Sequence, residues 1–143
     1  NGTVGPYAGE VMLNTLTLTW RITERWTYAL QNDIGCNWAV RVAGDAQWYG
    51  INQYLLYKIN DCWAMGMRVE WFRDDDGRRV IAGNAGNYYN LTFGLNYKPH
   101  ANFTFRPKLR YDWYNGSTGA GRPFNGGLKR DQLSGGFDLI FTF

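Results

Sequence analysis

Asp131-Gln-Leu-Ser-Gly-Gly-Phe-Asp-Leu-Ile-Phe-Thr-Phe143 alternates apolar with small or polar side chains and finishes on an aromatic residue. In an extended strand successive side chains point to opposite faces. Leu133, Gly135, Phe137, Leu139, Phe141 and Phe143 therefore form one row, and Gln132, Ser134, Gly136, Asp138, Ile140 and Thr142 the other. One row suits lipid and the other suits water. A soluble sandwich shares such an alternation but has no reason to close on an exposed Phe.

Composition points the same way. The chain has 143 residues, enough for one small barrel or the greater part of the wall of a larger one. Its 7 Trp, 10 Tyr and 8 Phe favour strands, and its 18 Gly supply turns. No stretch approaches the roughly 18 consecutive apolar residues of a membrane helix, and no basic segment followed by an apolar one opens the sequence. A mean hydropathy of -0.44 disfavours a helical membrane protein but not a barrel, half of whose side chains face water. The net charge of +3 is too small to argue for nucleic acid. Cys36 and Cys62 lack the spacing of a zinc site or redox pair, and they are expected to lie too far apart to bridge.

The same two-residue period predicts seven antiparallel strands. Residues 102–113 put Phe103, Phe105, Pro107, Leu109, Tyr111 and Trp113 on one face and Thr104, Arg106, Lys108, Arg110 and Asp112 on the other. Residues 88–98 set Tyr89, Leu91, Phe93, Leu95 and Tyr97 against Asn90, Thr92, Gly94, Asn96 and Lys98. In 63–73 the outward row is Trp63, Met65, Met67, Val69 and Trp71, with Gly66, Arg68 and Glu70 inward. Residues 48–59 are mixed: Gln53 breaks the outward row of Tyr49, Ile51, Leu55, Tyr57 and Ile59, while Tyr54 and Leu56 occupy the other. Residues 26–40 place Trp26, Tyr28, Leu30, Ile34, Trp38 and Val40 together, interrupted by Asn32, and 12–22 oppose Leu16, Leu18, Trp20 and Ile22 to Thr15, Thr17, Thr19 and Arg21.

The connections alternate in length. Thr23-Glu24, Asn60-Asp61-Cys62 and Pro99-His100-Ala101 read as tight turns, whereas 43–47, 74–87 and 114–130 are longer and rich in Gly, Asn and Asp. Short periplasmic turns and long outer loops are the habit of bacterial outer-membrane barrels. Trp26, Trp63, Tyr97 and Phe143 then stand beside the short turns, and Trp48, Trp71, Tyr89 and Trp113 beside the long loops, as two aromatic girdles would. The fold expected is an all-β, up-and-down transmembrane barrel. Seven strands are odd where single-chain bacterial barrels are even. Either residues 1–9 hide a short strand, or the chain is the carboxyl part of a larger barrel; the loop-like chemistry of Asn1-Gly-Thr-Val-Gly-Pro6 favours the second.

A family resemblance rests on Trp48-Tyr-Gly-Ile-Asn-Gln-Tyr-Leu-Leu-Tyr-Lys-Ile-Asn-Asp-Cys-Trp-Ala-Met-Gly-Met-Arg-Val-Glu-Trp-Phe-Arg-Asp-Asp-Asp-Gly77, on residues 91–100 and on Arg106-Pro-Lys-Leu-Arg-Tyr-Asp-Trp-Tyr114. This sequence resembles the carboxyl half of the β-barrel porins with OmpL-like members, over residues 47–143, with 12–41 agreeing in pattern only. The resemblance implies a bacterial outer-membrane barrel with a pore for small solutes and identifies no solute. It implies as partners the surrounding lipid and the barrel assembly machinery, engaged through Asp131 to Phe143, with missing upstream strands or another chain completing the wall.

The inward rows carry the functional signal. Arg106, Lys108 and Arg110 share one face of one strand, and Arg68 and Lys98 point the same way from the two strands before it. In a water-filled lumen such a stripe lowers the barrier for anions. Glu70, Asp112 and Asp138 share that lumen, so the charges could equally pair to satisfy a closed interior. Two functions thus stand side by side: a channel for small solutes favouring anions, and a sealed barrel presenting its long loops to partners. An enzyme is the lesser alternative, because the one histidine, His100, lies in a short turn with no serine near it. Asp74-Asp75-Asp76-Gly77-Arg78-Arg79 clusters oxygen ligands but lacks the spacing of a calcium loop and reads as a solvated charged loop. No metal or cofactor site is expected, and Asn-X-Ser/Thr matches at Asn1, Asn90, Asn102 and Asn115 read as coincidence.

Overall fold

The computed structural model describes residues 9–39, 44–119 and 121–143. They form one antiparallel sheet of seven strands in sequence order: β1 (Gly9–Arg21), β2 (Trp26–Ala39), β3 (Ala46–Lys58), β4 (Trp63–Asp74), β5 (Gly86–His100), β6 (Phe103–Gly116) and β7 (Asp131–Phe141). Every strand pairs with its neighbour in the chain, and β1 does not pair with β7, so each keeps one free edge. The suggested strand within residues 1–9 lies outside the described residues up to Gly9, which opens β1, and Val40 also lies outside them. Among the described residues no helix is long and apolar enough to cross a membrane, which leaves spanning by strands untouched.

The tight turns are built from side chains that cap their own backbone. Thr23 Oγ1 accepts the amides of Arg25 and Trp26 at 3.2 and 3.0 Å, and Asn60 Oδ1 accepts those of Cys62 and Trp63 at 2.9 Å each. The third turn is displaced from its expected place: β5 continues through Pro99 to His100, and Ala101-Asn102 make the reversal. The β5–β6 register slips between Tyr97 and His100, where Pro99 has no amide to offer the ladder. Pro107, inside β6, leaves a second gap, since Leu95 and Asn96 find no ladder partners between the Gly94–Lys108 and Tyr97–Phe105 pairs.

Register sorts the side chains into two faces of opposite character. One face carries Leu30, Val69, Leu91, Phe93, Leu109 and Leu133, and it is open: Leu109 is 59% and Leu133 72% exposed. The three most deeply buried of the described residues are instead polar, Asp74, Asn84 and Asn90, and Asp112 is buried on the other face as well. This inverts a soluble core, and leaving such area in water costs roughly 25 cal/mol per Å².

Aromatic residues band the apolar face at two levels. Near the short turns Trp26 packs on Tyr57 at 4.4 Å between ring centroids, Trp63 on Tyr97 at 4.3 Å and Phe103 on Phe141 at 5.2 Å. Near the long loops Tyr49 meets Trp71 at 5.6 Å and Tyr89 stacks on Trp113 at 5.1 Å. Tyr49 and Tyr57, Trp63 and Trp71, Tyr89 and Tyr97, and Phe105 and Trp113 are each eight residues apart on four successive strands. Eight residues cover about 27 Å along a strand, or about 20 Å of height at a tilt near 40°.

One expected girdle member is corrected. Trp48 pairs across the sheet with Gly35 and Asp74, which puts it on the polar face, where it is 5% exposed. Its ring fills the space above Gly35, where any Cβ would come within 2.3 Å of the indole. Tyr49 takes the place at the girdle. Phe143 lies past the end of β7, fully exposed, with Thr142 N donating to Asn102 O at 3.1 Å as the last link.

Candidate functional site

The polar face of β4 to β7 brings the inward residues into register. Glu70, Asn90 and Asp112 lie in one cross-strand row, Arg68, Thr92, Arg110 and Ser134 in the next, and Gly66, Gly94, Lys108 and Gly136 in the one after. Arg106 then faces Asp138 across β6 and β7. Lys98 is exposed at the short-turn end of β5, beside the register slip.

Arg68, Glu70, Arg110 and Asp112 are joined through Asn90 in one chain of polar contacts. Arg110 grips Asp112 with Nε at 2.8 and 2.9 Å and Nη2 at 2.7 Å, and Asn90 Nδ2 donates to the same carboxylate at 2.8 Å. Asn90 Oδ1 accepts Arg68 Nη2 at 3.0 Å and Thr92 Oγ1 at 2.7 Å. Arg68 also lies 3.2 Å from Glu70, while its buried Nε has no partner among the described residues. Asn90 thus links two acid–base pairs, which lets Asp112 stay charged at 6% exposure. Arg106 and Asp138 form a separate pair at 2.6 Å.

The long loops turn over the outer end of this wall. Asp74 is fully buried and accepts three backbone amides, Arg78 at 3.1 Å, Arg79 at 2.8 Å and Val80 at 3.0 Å. Asp75 pairs with Arg73 at 2.6 Å, and Asp76 accepts the Gln47 amide at 2.8 Å. The acidic run is therefore not the freely solvated loop expected, since each of its three carboxylates accepts a protein donor. No cluster of metal-ligating side chains occurs among the described residues. Arg79 covers the Trp48 ring at 4.7 Å. Asn84, also fully buried, donates to Gly121 O at 2.9 Å and so ties the β4–β5 loop to the β6–β7 loop. Tyr88 donates to Asn84 O at 3.0 Å, and Tyr114 to Ala85 O at 2.8 Å. Gly86 and Gly116 permit that closeness, because a Cβ on Gly86 would lie 2.6 Å from Gly116 Cα. Val80 and Phe124, one from each loop, then line a recess whose floor is Glu70, Asn90, Arg110 and Asp112.

Glu70 and Asp112 line one recess on either side of Asn90, and each is paired with an arginine. His100 is far along β5 at the short-turn end. The anchoring roles of Asp74, Asn84, Tyr88 and Tyr114 have no sequence counterpart beyond their falling at the predicted loop boundaries. Cys36 on β2 and Cys62 in the β3–β4 turn are both free thiols, near opposite ends of the sheet.

Comparison with curated proteins and with solved structures gives no match. A family model described as "Putative beta-barrel porin-2, OmpL-like" matches residues 2–143, so the likeness extends through β1 and β2 and not only over residues 47–143. With seven up-and-down strands, an apolar banded face and a charged inner one, this chain belongs to that OmpL-like β-barrel porin family.

Proposed function

We propose that the polar face lines a channel for passive diffusion of small solutes across the bacterial outer membrane, with a preference for anions. The observation that carries this is the charge balance of the wall: Arg21, Lys58, Arg68, Lys98, Arg106, Lys108 and Arg110 against Asp33, Glu70, Asp74, Asp112 and Asp138. Water-filled lumens with fixed positive charge concentrate anions and repel cations. The opposite face, with Trp26, Trp63, Trp71, Tyr89, Tyr97 and Trp113 at its two levels, meets lipid. A closed wall requires the free edges of β1 and β7 to be paired, by further strands of the same polypeptide or by another chain. The β7 strand is the segment offered to the assembly machinery.

The second reading, a sealed barrel that presents its loops to a partner, draws support from the same wall. Its arginines are paired and its outer loops are pinned across it. Planar-bilayer recording on the full-length protein under a potassium chloride gradient separates the two. The channel reading expects discrete conductance steps and a reversal potential on the chloride side. Absence of current favours the sealed barrel, and a cation-selective current removes the anion preference.

A further inference from the structure

The five basic residues that β4, β5 and β6 turn to the polar face are not equivalent. Arg68, Arg106 and Arg110 each hold a carboxylate at 3.2, 2.6 and 2.7 Å. To an ion passing at a distance, such a pair is a dipole whose field falls away faster than that of a single charge. Lys98 stands at the short-turn end, where bulk electrolyte screens it within about 10 Å. Lys108 differs from all of them. It lies in the middle of β6, exposed, with no salt bridge or hydrogen bond from its ammonium among the described residues. Asp138, the nearest carboxylate by register, is already taken by Arg106. Its cross-strand neighbours are Gly94 and Gly136, so no side chain stands directly opposite it, and Asp138, on the diagonal, gives its hydrogen-bonding oxygen to Arg106. Its stem lies along the wall, with Cε 3.8 Å from where a Cβ on Gly136 would sit. Lys108 lines a groove together with Tyr54, Arg68, Asn96 and the paired Arg106, Arg110 and Asp138.

We propose that Lys108 is the residue that sets anion preference, the arginines serving to neutralise and hold the acids of the wall. This rests on the channel reading above and names the charge responsible within it. The expected effect follows from one unit charge about 7 Å from the ion path in water, a Boltzmann factor of about threefold in favour of chloride and about threefold against potassium, so about sevenfold in their ratio.

The pairing dictates the choice of variants. Removing one arginine alone exposes its acid and changes the net charge as much as removing Lys108 does, so pairs must be deleted as units. In planar bilayers Lys108→Gln and Lys108→Met should each lower the chloride-to-potassium permeability ratio by about sevenfold. Lys108→Arg should preserve it, and the double variant Arg106→Gln with Asp138→Asn should leave it near the parent value. Heat-modifiable migration on gels reports folding of every variant. No current from the parent protein refutes the channel reading itself. Current with an unchanged ratio in the Lys108 variants, or an equal fall in the double variant, overturns the assignment while the channel stands. Failure of both Lys108 variants to fold also overturns it, by giving this exposed side chain a structural role.

Discussion

Replacing Asp74 should loosen the outer mouth of the wall by a calculable amount. Its Oδ2 accepts Arg79 N and Val80 N at 2.8 and 3.0 Å, and its Oδ1 accepts Arg78 N at 3.1 Å, from a fully buried position. A hydrogen bond to a charged group contributes roughly 1.5–3 kcal/mol. Residues 78–80 are exposed, so their amides regain water when the carboxylate is lost, which brings three such bonds down to about 3 kcal/mol for Asp74→Ala. Asp74→Asn keeps one acceptor oxygen and turns an NH₂ toward an amide, for a loss of about 1.5 kcal/mol. With a urea slope of about 2 kcal/mol/M, the alanine variant unfolds from lipid vesicles at a midpoint about 1.5 M lower. Trypsin offers an independent reading, because Arg78 and Arg79 lie inside the loop that Asp74 ties down. The folded parent should resist cleavage there, and Asp74→Ala should be cut quickly. An alanine variant with the parent's midpoint and the parent's trypsin resistance would refute the anchoring argument.

Gly35→Val should cost about 1–3 kcal/mol by pushing the Trp48 indole off the wall, detected as a red shift in tryptophan emission and a lower urea midpoint; an unchanged spectrum contradicts the placement of Trp48. Phe93→Arg, midway between the aromatic levels on the apolar face, should cost about 2–4 kcal/mol in vesicles while Asn96→Arg on the polar face costs close to nothing. Equal costs would mean that the faces are assigned wrongly. Cys36 and Cys62 should remain separate under oxidising conditions, so a peptide joining them in non-reducing mass spectrometry of folded protein would break the register. The Asp61 carboxyl, hydrogen-bonded to Lys58 at 2.6 Å in an exposed turn, titrates below its ordinary value of 3.8. Its pairing is therefore complete above about pH 4 and is lost as pH falls through the lowered pKa. An NMR titration should show the shift in the parent and its disappearance in Lys58→Met.

Much of the wall was legible because a sheet with lipid on one side and water on the other imposes a strict period of two. Residues 102–113 and 88–98 obey it without exception, and the structure keeps those rows. Trp48 shows where residue type misleads. It lies at the right height for a girdle, yet the alternation that put Tyr49 outward already put Trp48 inward, and parity prevailed over the preference of indole for an interface. The acids and bases were all visible as inward residues, but which ones meet depends on register, and register is a property of neighbouring strands together. The link from Asn90 to both Arg68 and Asp112 joins three strands and has no signature in any of them. The loop anchors were hidden for a related reason: an Asp that receives three amides of its own loop reads in sequence like any acidic surface residue.

The constant interval between the two aromatic levels limits how this sequence can change. Deleting one residue between Tyr89 and Tyr97 would turn every side chain beyond it to the other face, exchanging Leu95 with Asn96 and placing an amide in hydrocarbon. Deleting two would restore the faces but draw Tyr97 about 7 Å out of line with Trp63 and Phe105, its neighbours in register. Neither can be absorbed locally, because the same interval is kept on β3, β4 and β6. Insertions and deletions among homologues should therefore fall in the connections, with the outer loops free to diverge in length while the spans drift only by substitution.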